Sequence, residues 1–230
     1  MIENRPGRGE PTIAPFGDAA VLITFPGEAS IESAARSQAL ASRIRATVAG
    51  RAGWGTPVAA AASVLVRVDS VAPGVVAAVT ILHEVVAALT PADDRWPAGE
   101  RTIEVPVRYG GDAGPDLGAV AELTGLAPAE VIERHAAATY RALFLGFAPG
   151  FGYLGPLAPE LVLARRATPR VRVPAGSVAI AGPYTAIYPN ESPGGWHLLG
   201  RTSATIWDPK RDHPATFEPG TLVRFVPERP

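Results

Sequence analysis

Phe144-Leu-Gly-Phe-Ala-Pro-Gly-Phe-Gly-Tyr-Leu-Gly155, Pro174-Ala-Gly-Ser-Val-Ala-Ile-Ala-Gly182 and Ile187-Tyr-Pro-Asn-Glu-Ser-Pro-Gly-Gly-Trp-His-Leu-Leu-Gly-Arg-Thr202 are three Gly/Pro/aromatic clusters in one half of the chain. They are too apolar for solvated linkers, and their glycine content argues against regular helix or strand interiors. Glycine permits tight turns and close backbone approach, proline fixes φ, and the interleaved Phe147, Phe151, Tyr153, Tyr188 and Trp196 supply the walls of a pocket or an interface. From residue 141 onward the pattern is short strand and turn, clearest at 171–173, 178–181, 186–188, 205–207 and 222–226. Many short strands between Gly/Pro turns predict a closed or nearly closed β-barrel.

Upstream of these clusters the pattern begins afresh at residue 102. Residues 102–109 read as a strand that Pro106 assigns to an edge, and 116–123 and 128–139 read as two short helices broken at Gly125. Before that lies a separate unit. A β-rich run at 19–25 precedes a helix over 30–45 with Ser30 as its N-cap, and 63–68 reads as a covered strand. Pro73 opens a second helix with Val75, Val79, Leu82, Val86 and Leu89 on one face, and a weak strand falls near Val58. The fold class is therefore α+β, with a ferredoxin-like unit of the split βαβ kind over 12–96 and a β-barrel domain over 97–230. Residues 1–11, polar and Gly/Pro-rich, are expected to be a disordered leader.

Composition narrows the function. A formal net charge of -1 gives no global electrostatic case for nucleic acid or an anionic membrane. Cysteine is absent, which removes thiolate chemistry and suits the cytoplasm. The most apolar stretch, 71–89, contains Pro73, His83 and Glu84, so it reads as a helix of the fold and not as a membrane span. Gly150-Phe-Gly-Tyr-Leu-Gly155 matches the dinucleotide fingerprint literally, but Pro156 and Pro159 obstruct the helix it needs and no acid follows at the ribose spacing. Lys210 is the only lysine and Arg211 follows it, which excludes a lysine-bearing phosphate loop.

What remains is a charge asymmetry. Residues 161–190 hold Arg165, Arg166, Arg170 and Arg172 and no acid, so Arg166, Arg170 and Arg172 are candidate anion ligands, with pairing to acids elsewhere as the alternative. Arg170 and Arg172, two apart on a strand, are expected to act together. His135 in the second short helix is a candidate general base or a buried structural histidine, and Ser177 a candidate ligand-holding hydroxyl or a turn residue. Trp196 and His197, after Gly194-Gly195, are expected to be displayed outward by a tight turn. Phe151, Tyr153, Tyr188 and Arg201 complete the candidate binding set; no metal site is expected.

Ile103-Glu-Val-Pro-Val107, Tyr109-Gly-Gly111, Gly114-Pro-Asp-Leu117, His135 with Tyr140, Gly146-Phe-Ala-Pro-Gly-Phe-Gly-Tyr-Leu154, Pro169-Arg170, Val173-Pro-Ala-Gly-Ser177, Ile187-Tyr-Pro189, Ser192-Pro-Gly-Gly-Trp196 and Gly200-Arg-Thr202 occur in this order. Together they resemble the B-subunit family of the 5-oxoprolinases, also labelled allophanate hydrolase subunit 1 or KipI-type kinase inhibitor. Gly220-Thr221 departs from the family's usual Gly-Asp. The resemblance implies an N-terminal α/β domain followed by a cyclophilin-like β-barrel, and a role in ATP-dependent opening of 5-oxoproline to L-glutamate in the cytoplasm. It further implies a larger homologous C subunit, of the KipA or allophanate hydrolase subunit 2 type, a separate A subunit, and ATP with Mg2+ as cofactor in the complex. Two other roles in the family stay open: an inhibitor bound to a sensor histidine kinase, and a carboxyltransferase subunit of the urea/allophanate type.

Overall fold

A computed structural model describes residues 9–96 and 101–228. Contacts divide the chain into two compact units, residues 1–97 and 98–230. Most of the expected leader, residues 1–8, lies outside the described residues, as does the 97–100 stretch where the units meet in sequence.

The first unit contains β1 (Thr12–Pro15), β2 (Ala20–Thr24), α1 (Ile31–Thr47), β3 (Val58–Ala59), β4 (Ser63–Arg67) and α2 (Gly74–Ala87). Its sheet has the order β1-β2-β4-β3 with every neighbouring pair antiparallel, so β2 and β3 run parallel on either side of β4 and α1 joins them. A ferredoxin-like domain takes its fourth strand after the second helix. Here the fourth position is filled by β1, which precedes the other elements and forms a hairpin with β2. Ser30 starts α1 as read from the sequence, its Oγ accepting from the Ser33 amide at 3.1 Å while Ser33 Oγ accepts from the Ser30 amide at 2.8 Å. Val21, Ile23, Val64 and Val66 of the sheet pack on Leu40 and Ile44 of α1 and Ala78 and Leu82 of α2. The short turn Pro91–Asp94 is tied to α1 by ion pairs Arg36–Asp94 at 2.5 Å and Arg43–Asp93 at 3.1 Å.

The second unit holds β5 (Thr102–Tyr109), α3 (Leu117–Thr124), α4 (Pro128–Ala137), β6 (Thr139–Leu145), β7 (Gly152–Gly155), β8 (Arg170–Val173), β9 (Ser177–Ala181), β10 (Tyr184–Ile187), β11 (Ser192–Gly194), β12 (His197–Arg201) and β13 (Leu222–Pro227). Seven strands close a barrel in the order β10-β7-β6-β13-β5-β12-β9, while β8 and β11 form a separate two-stranded ribbon. Closure leaves the barrel strands without a free edge. Alternate residues Val105 and Val107, Tyr140 and Ala142, Val178 and Ile180, and Val223 and Phe225 fill the interior. Leu117, Val120 and Val131 from α3 and α4 join the same cluster. Gly125, at φ 69, ends α3 in the left-handed conformation, and Pro128 at the first turn opens α4.

Three sequence expectations change. β5 is not an edge strand: it lies between β13 and β12, but β12 pairs only with Arg108 and Tyr109, so Pro106 faces no ladder on that side. Residues 205–207 form only a single bridge, Trp207 to Ala215, with Pro209 and Pro214 limiting its extension. The glycine-rich clusters do contain strands, β7, β11 and β12. Gly200 explains one of them: a Cβ there would stand 2.7 Å from both the Arg108 carbonyl and Val107 Cγ1, at a register shift in β12. Glycine marks close strand approach here. Gly200→Ala should therefore destabilise the barrel by about 1–3 kcal/mol, measured by urea unfolding; wild-type stability would mean that β5 and β12 separate without cost.

Candidate functional site

Asp116 sits one residue before α3 and is 3% exposed. Its carboxylate accepts from Arg166 Nη1 at 2.8 Å, from Arg170 Nη1 and Nη2 at 2.8 and 2.7 Å, and from the Leu198 amide at 2.7 Å. Burial alone would push its carboxyl pKa up; the Arg170 hydrogen bonds, the Leu198 amide and the charges of Arg170 and Arg166 outweigh that and hold it below the ordinary value. One carboxylate thus joins the segment around residue 166, the β8–β11 ribbon and β12. The acid-free arginine stretch finds its acid some fifty positions upstream, so Arg166 and Arg170 are committed inside the protein.

Beside this clamp the aromatic residues of the clusters gather. Phe151 is the hub, meeting Phe147, Tyr153, Tyr188 and Trp196 edge-on with centroids 5.2–5.5 Å apart. Tyr153 stacks on Phe144 at 4.3 Å and meets Tyr184 and Trp196. Phe151, Tyr188 and Trp196 are buried, and Phe144, Tyr153 and Tyr184 form a half-buried rim. Burial raises the pKa of Tyr153, Tyr184 and Tyr188, so all three are neutral phenols at pH 7. Phe147 stands out at φ 67 with 62% exposure, the one non-glycine residue with positive φ among those described. Positive φ is costly for a bulky side chain and persists only where the surrounding structure holds it.

The structure brings together Phe151, Tyr153, Tyr188, Trp196, Arg166 and Arg170. It separates the others. His135 is fully buried and hydrogen-bonded at both nitrogens: Thr185 Oγ1 donates to the Ala179 carbonyl at 3.1 Å, so it accepts from His135 Nε2 at 2.8 Å and leaves Nδ1 to accept from the Tyr109 hydroxyl at 2.7 Å. The ring stacks on Phe225 at 4.7 Å, and burial lowers its pKa to about 3. This is a structural histidine; a general base needs access to a reacting proton. Ser177 donates from Oγ to the Pro174 carbonyl at 2.8 Å and is a turn residue. Arg172 points away from Arg170 to an exposed pair with Glu191 at 2.6 Å. Trp196 and His197 are turned inward and not displayed: both are buried, and His197 Nε2 bonds the Ala164 carbonyl at 3.0 Å. Arg201 lies opposite Arg108 across β12 and β5, its Nε donating to the Ala175 carbonyl at 3.0 Å. Among the described residues no group of three or more His, Cys, Asp or Glu could hold a metal ion, and no helix is long and apolar enough to cross a membrane.

Asp116 escapes a reading of the sequence because its importance lies in partners distant along the chain. Its only local signal is its place in Gly114-Pro-Asp-Leu117. Phe147 is legible as a wall residue, but positive φ cannot be read from a phenylalanine.

The family described as carboxyltransferase domain, subdomain C and D, matches residues 11–217, and the chain belongs to it. Within that class its curated relatives include the B subunit of 5-oxoprolinase from Escherichia coli O157:H7, 54% identical over 129 residues, which are 56% of this chain and 59% of the relative. The match thus spans about three fifths of the length of that relative. A conserved uncharacterized protein from Pyrococcus horikoshii is 39% identical over 94% of this chain and 97% of its own, with a TM-score of 0.55. Kluyveromyces lactis urea carboxylase shares the fold at a TM-score of 0.80 and 21% identity, over 98% of this chain and 23% of that enzyme.

The burial of His135 has a pH consequence. Its folded pKa is depressed from 6.5, so its contribution to stability is complete above that value and is lost as pH falls toward about 3, by about 1.4 kcal/mol per pH unit. His135→Phe should be less stable than wild type at pH 7.5, yet lose stability more slowly between pH 6 and 4.5 by one proton's slope in urea unfolding. Equal slopes would contradict the buried neutral imidazole.

Proposed function

We propose that this chain acts as the B subunit of a heteromeric, ATP-dependent 5-oxoprolinase, working with a larger homologous C subunit and a separate A subunit to open 5-oxoproline to L-glutamate. The observation that carries this reading is the 54% identity with the Escherichia coli protein over the stretch that matches it. An ATP-dependent reaction places the chain in the cytoplasm, and on this reading the barrel is the cyclophilin-like half of the protein.

The chemistry explains the need for ATP. A lactam is an unactivated amide, so its carbonyl oxygen is first phosphorylated by the γ-phosphoryl group of ATP, releasing ADP. One water then adds to the activated carbon and the ring C–N bond breaks with protonation of nitrogen, leaving a γ-acyl phosphate, which a second water hydrolyses to glutamate and inorganic phosphate. In this scheme the half-buried rim of Phe144, Tyr153 and Tyr184 with exposed Phe147 offers an apolar face with neutral phenol donors for a small ring. Arg166 and Arg170 fix that face through Asp116 and do not contact the substrate. Mg2+ would come with the nucleotide phosphates, held by water and the partner subunits.

A second reading, a carboxyltransferase subunit of the urea/allophanate type, draws on the family description and the shared fold with urea carboxylase. Biotin would then arrive on another chain, since the lone lysine lies in Asp208-Pro-Lys-Arg211. Co-expression with both partner subunits, followed by an assay of ADP release with and without 5-oxoproline, distinguishes the two. The proposal predicts 5-oxoproline-dependent ADP and glutamate formation in equal amounts only when all three proteins are present. Carboxylation of urea by a biotin-loaded partner, with no response to 5-oxoproline, would replace it with the second reading.

A further inference from the structure

Arg108 of β5 and Arg201 of β12 are direct cross-strand partners. Like charges placed opposite one another on a sheet repel, and pairs of this kind are destabilising unless something lies between them. Both residues line a cleft of ≈ 550 Å³ whose wall includes Ser203, Thr205, Trp207 and Glu228. Among the described residues Arg108 makes no ion pair or side-chain hydrogen bond, Arg201 spends only Nε on the Ala175 carbonyl, and Glu228 pairs with neither. One cleft is thus lined by two arginines with unspent guanidinium donors, one carboxylate without an ion pair, and two hydroxyls that form no hydrogen bond within the described residues.

We infer that this cleft is a binding site for a nucleoside polyphosphate, with the phosphate chain on Arg108 and Arg201 and the base against the half-buried ring of Trp207. The arrangement fits that chemistry in three ways. Paired guanidiniums suit the bidentate oxygens of phosphate, and an arriving anion converts the cross-strand repulsion into attraction. Ser203 and Thr205 add hydroxyl donors. The volume is within the range of small-ligand pockets, which free phosphate alone would leave largely empty. Glu228 on the wall disfavours anions that do not engage both arginines. The inference rests on the 5-oxoprolinase reading for the choice of ATP, but its site is separate from the aromatic rim and its test needs no turnover.

The test is titration of the full chain with ATP and, in parallel, with inorganic phosphate, followed calorimetrically and by melting temperature. ATP should bind more tightly than phosphate and raise the melting temperature by about 2–4 °C at saturating ligand. Arg108→Ala and Arg201→Ala should each weaken ATP binding at least tenfold, Arg108→Lys should restore part of it, and Trp207→Leu should weaken ATP but leave phosphate unchanged. Without ligand, Arg108→Ala should melt no lower than wild type, because one half of a repelling pair has been removed; this separates a binding role from a structural one. ATP binding that survives both arginine substitutions, or that is no tighter than phosphate, overturns the inference. If ATP binds as expected while the assembled complex ignores 5-oxoproline, the site stands and the 5-oxoprolinase reading fails.

Discussion

The carboxylate of Asp116 is the constraint on which the second unit depends. It is nearly sealed from water, and a buried carboxylate without partners would cost several kcal/mol. Arg166, Arg170 and the Leu198 amide supply those partners, from two stretches, 166–170 and 198, that are remote in sequence from Asp116 and from each other. The requirement runs in both directions. The carboxylate cannot be buried without the donors, and each donor fixes its own segment: the turn near residue 166, whose amide bonds the Gly195 carbonyl; the start of β8; and β12 beside Trp196.

The aromatic face follows from that fixation. Trp196 lies two residues from the Leu198 amide and packs edge-on against Phe151 and Tyr153, while Gly194 passes so close to Tyr188 that a Cβ would fall 2.3 Å from the phenol oxygen. Rings held on several sides in this way retain their orientation without a ligand, which lowers the ordering cost of binding. The strained backbone of Phe147 fits the same picture, since a costly conformation persists only where its surroundings over-determine it. The Arg108–Arg201 cleft shares no lining residue with this aromatic face.

Much of the architecture was legible in the sequence because it rests on local rules. Ser30 capped its helix, Gly125 and Pro128 divided α3 from α4, and the apolar alternation at 222–226 became the barrel strand β13. The site was less legible, for three physical reasons. Glycines at close strand crossings look like loop residues until the neighbouring strand is known, as with Gly200. A histidine with partners on both nitrogens looks in sequence like one available for catalysis, and only Tyr109 and Thr185 decide the matter for His135. Finally, an arginine stretch without local acids reads as an anion site, yet Asp116 satisfies two of its members and Glu191 a third.

A double-mutant cycle between Asp116 and Arg170 tests the central role of the clamp. Asp116→Asn, Arg170→Ala and the double variant would be compared with wild type by urea unfolding at pH 7.5. The clamp predicts a coupling of about 2 kcal/mol or more, because either single change leaves a buried charge short of a partner and the second change then costs little. Single-variant losses that add to within about 0.5 kcal/mol would contradict it and show that the segments are held in place by packing alone.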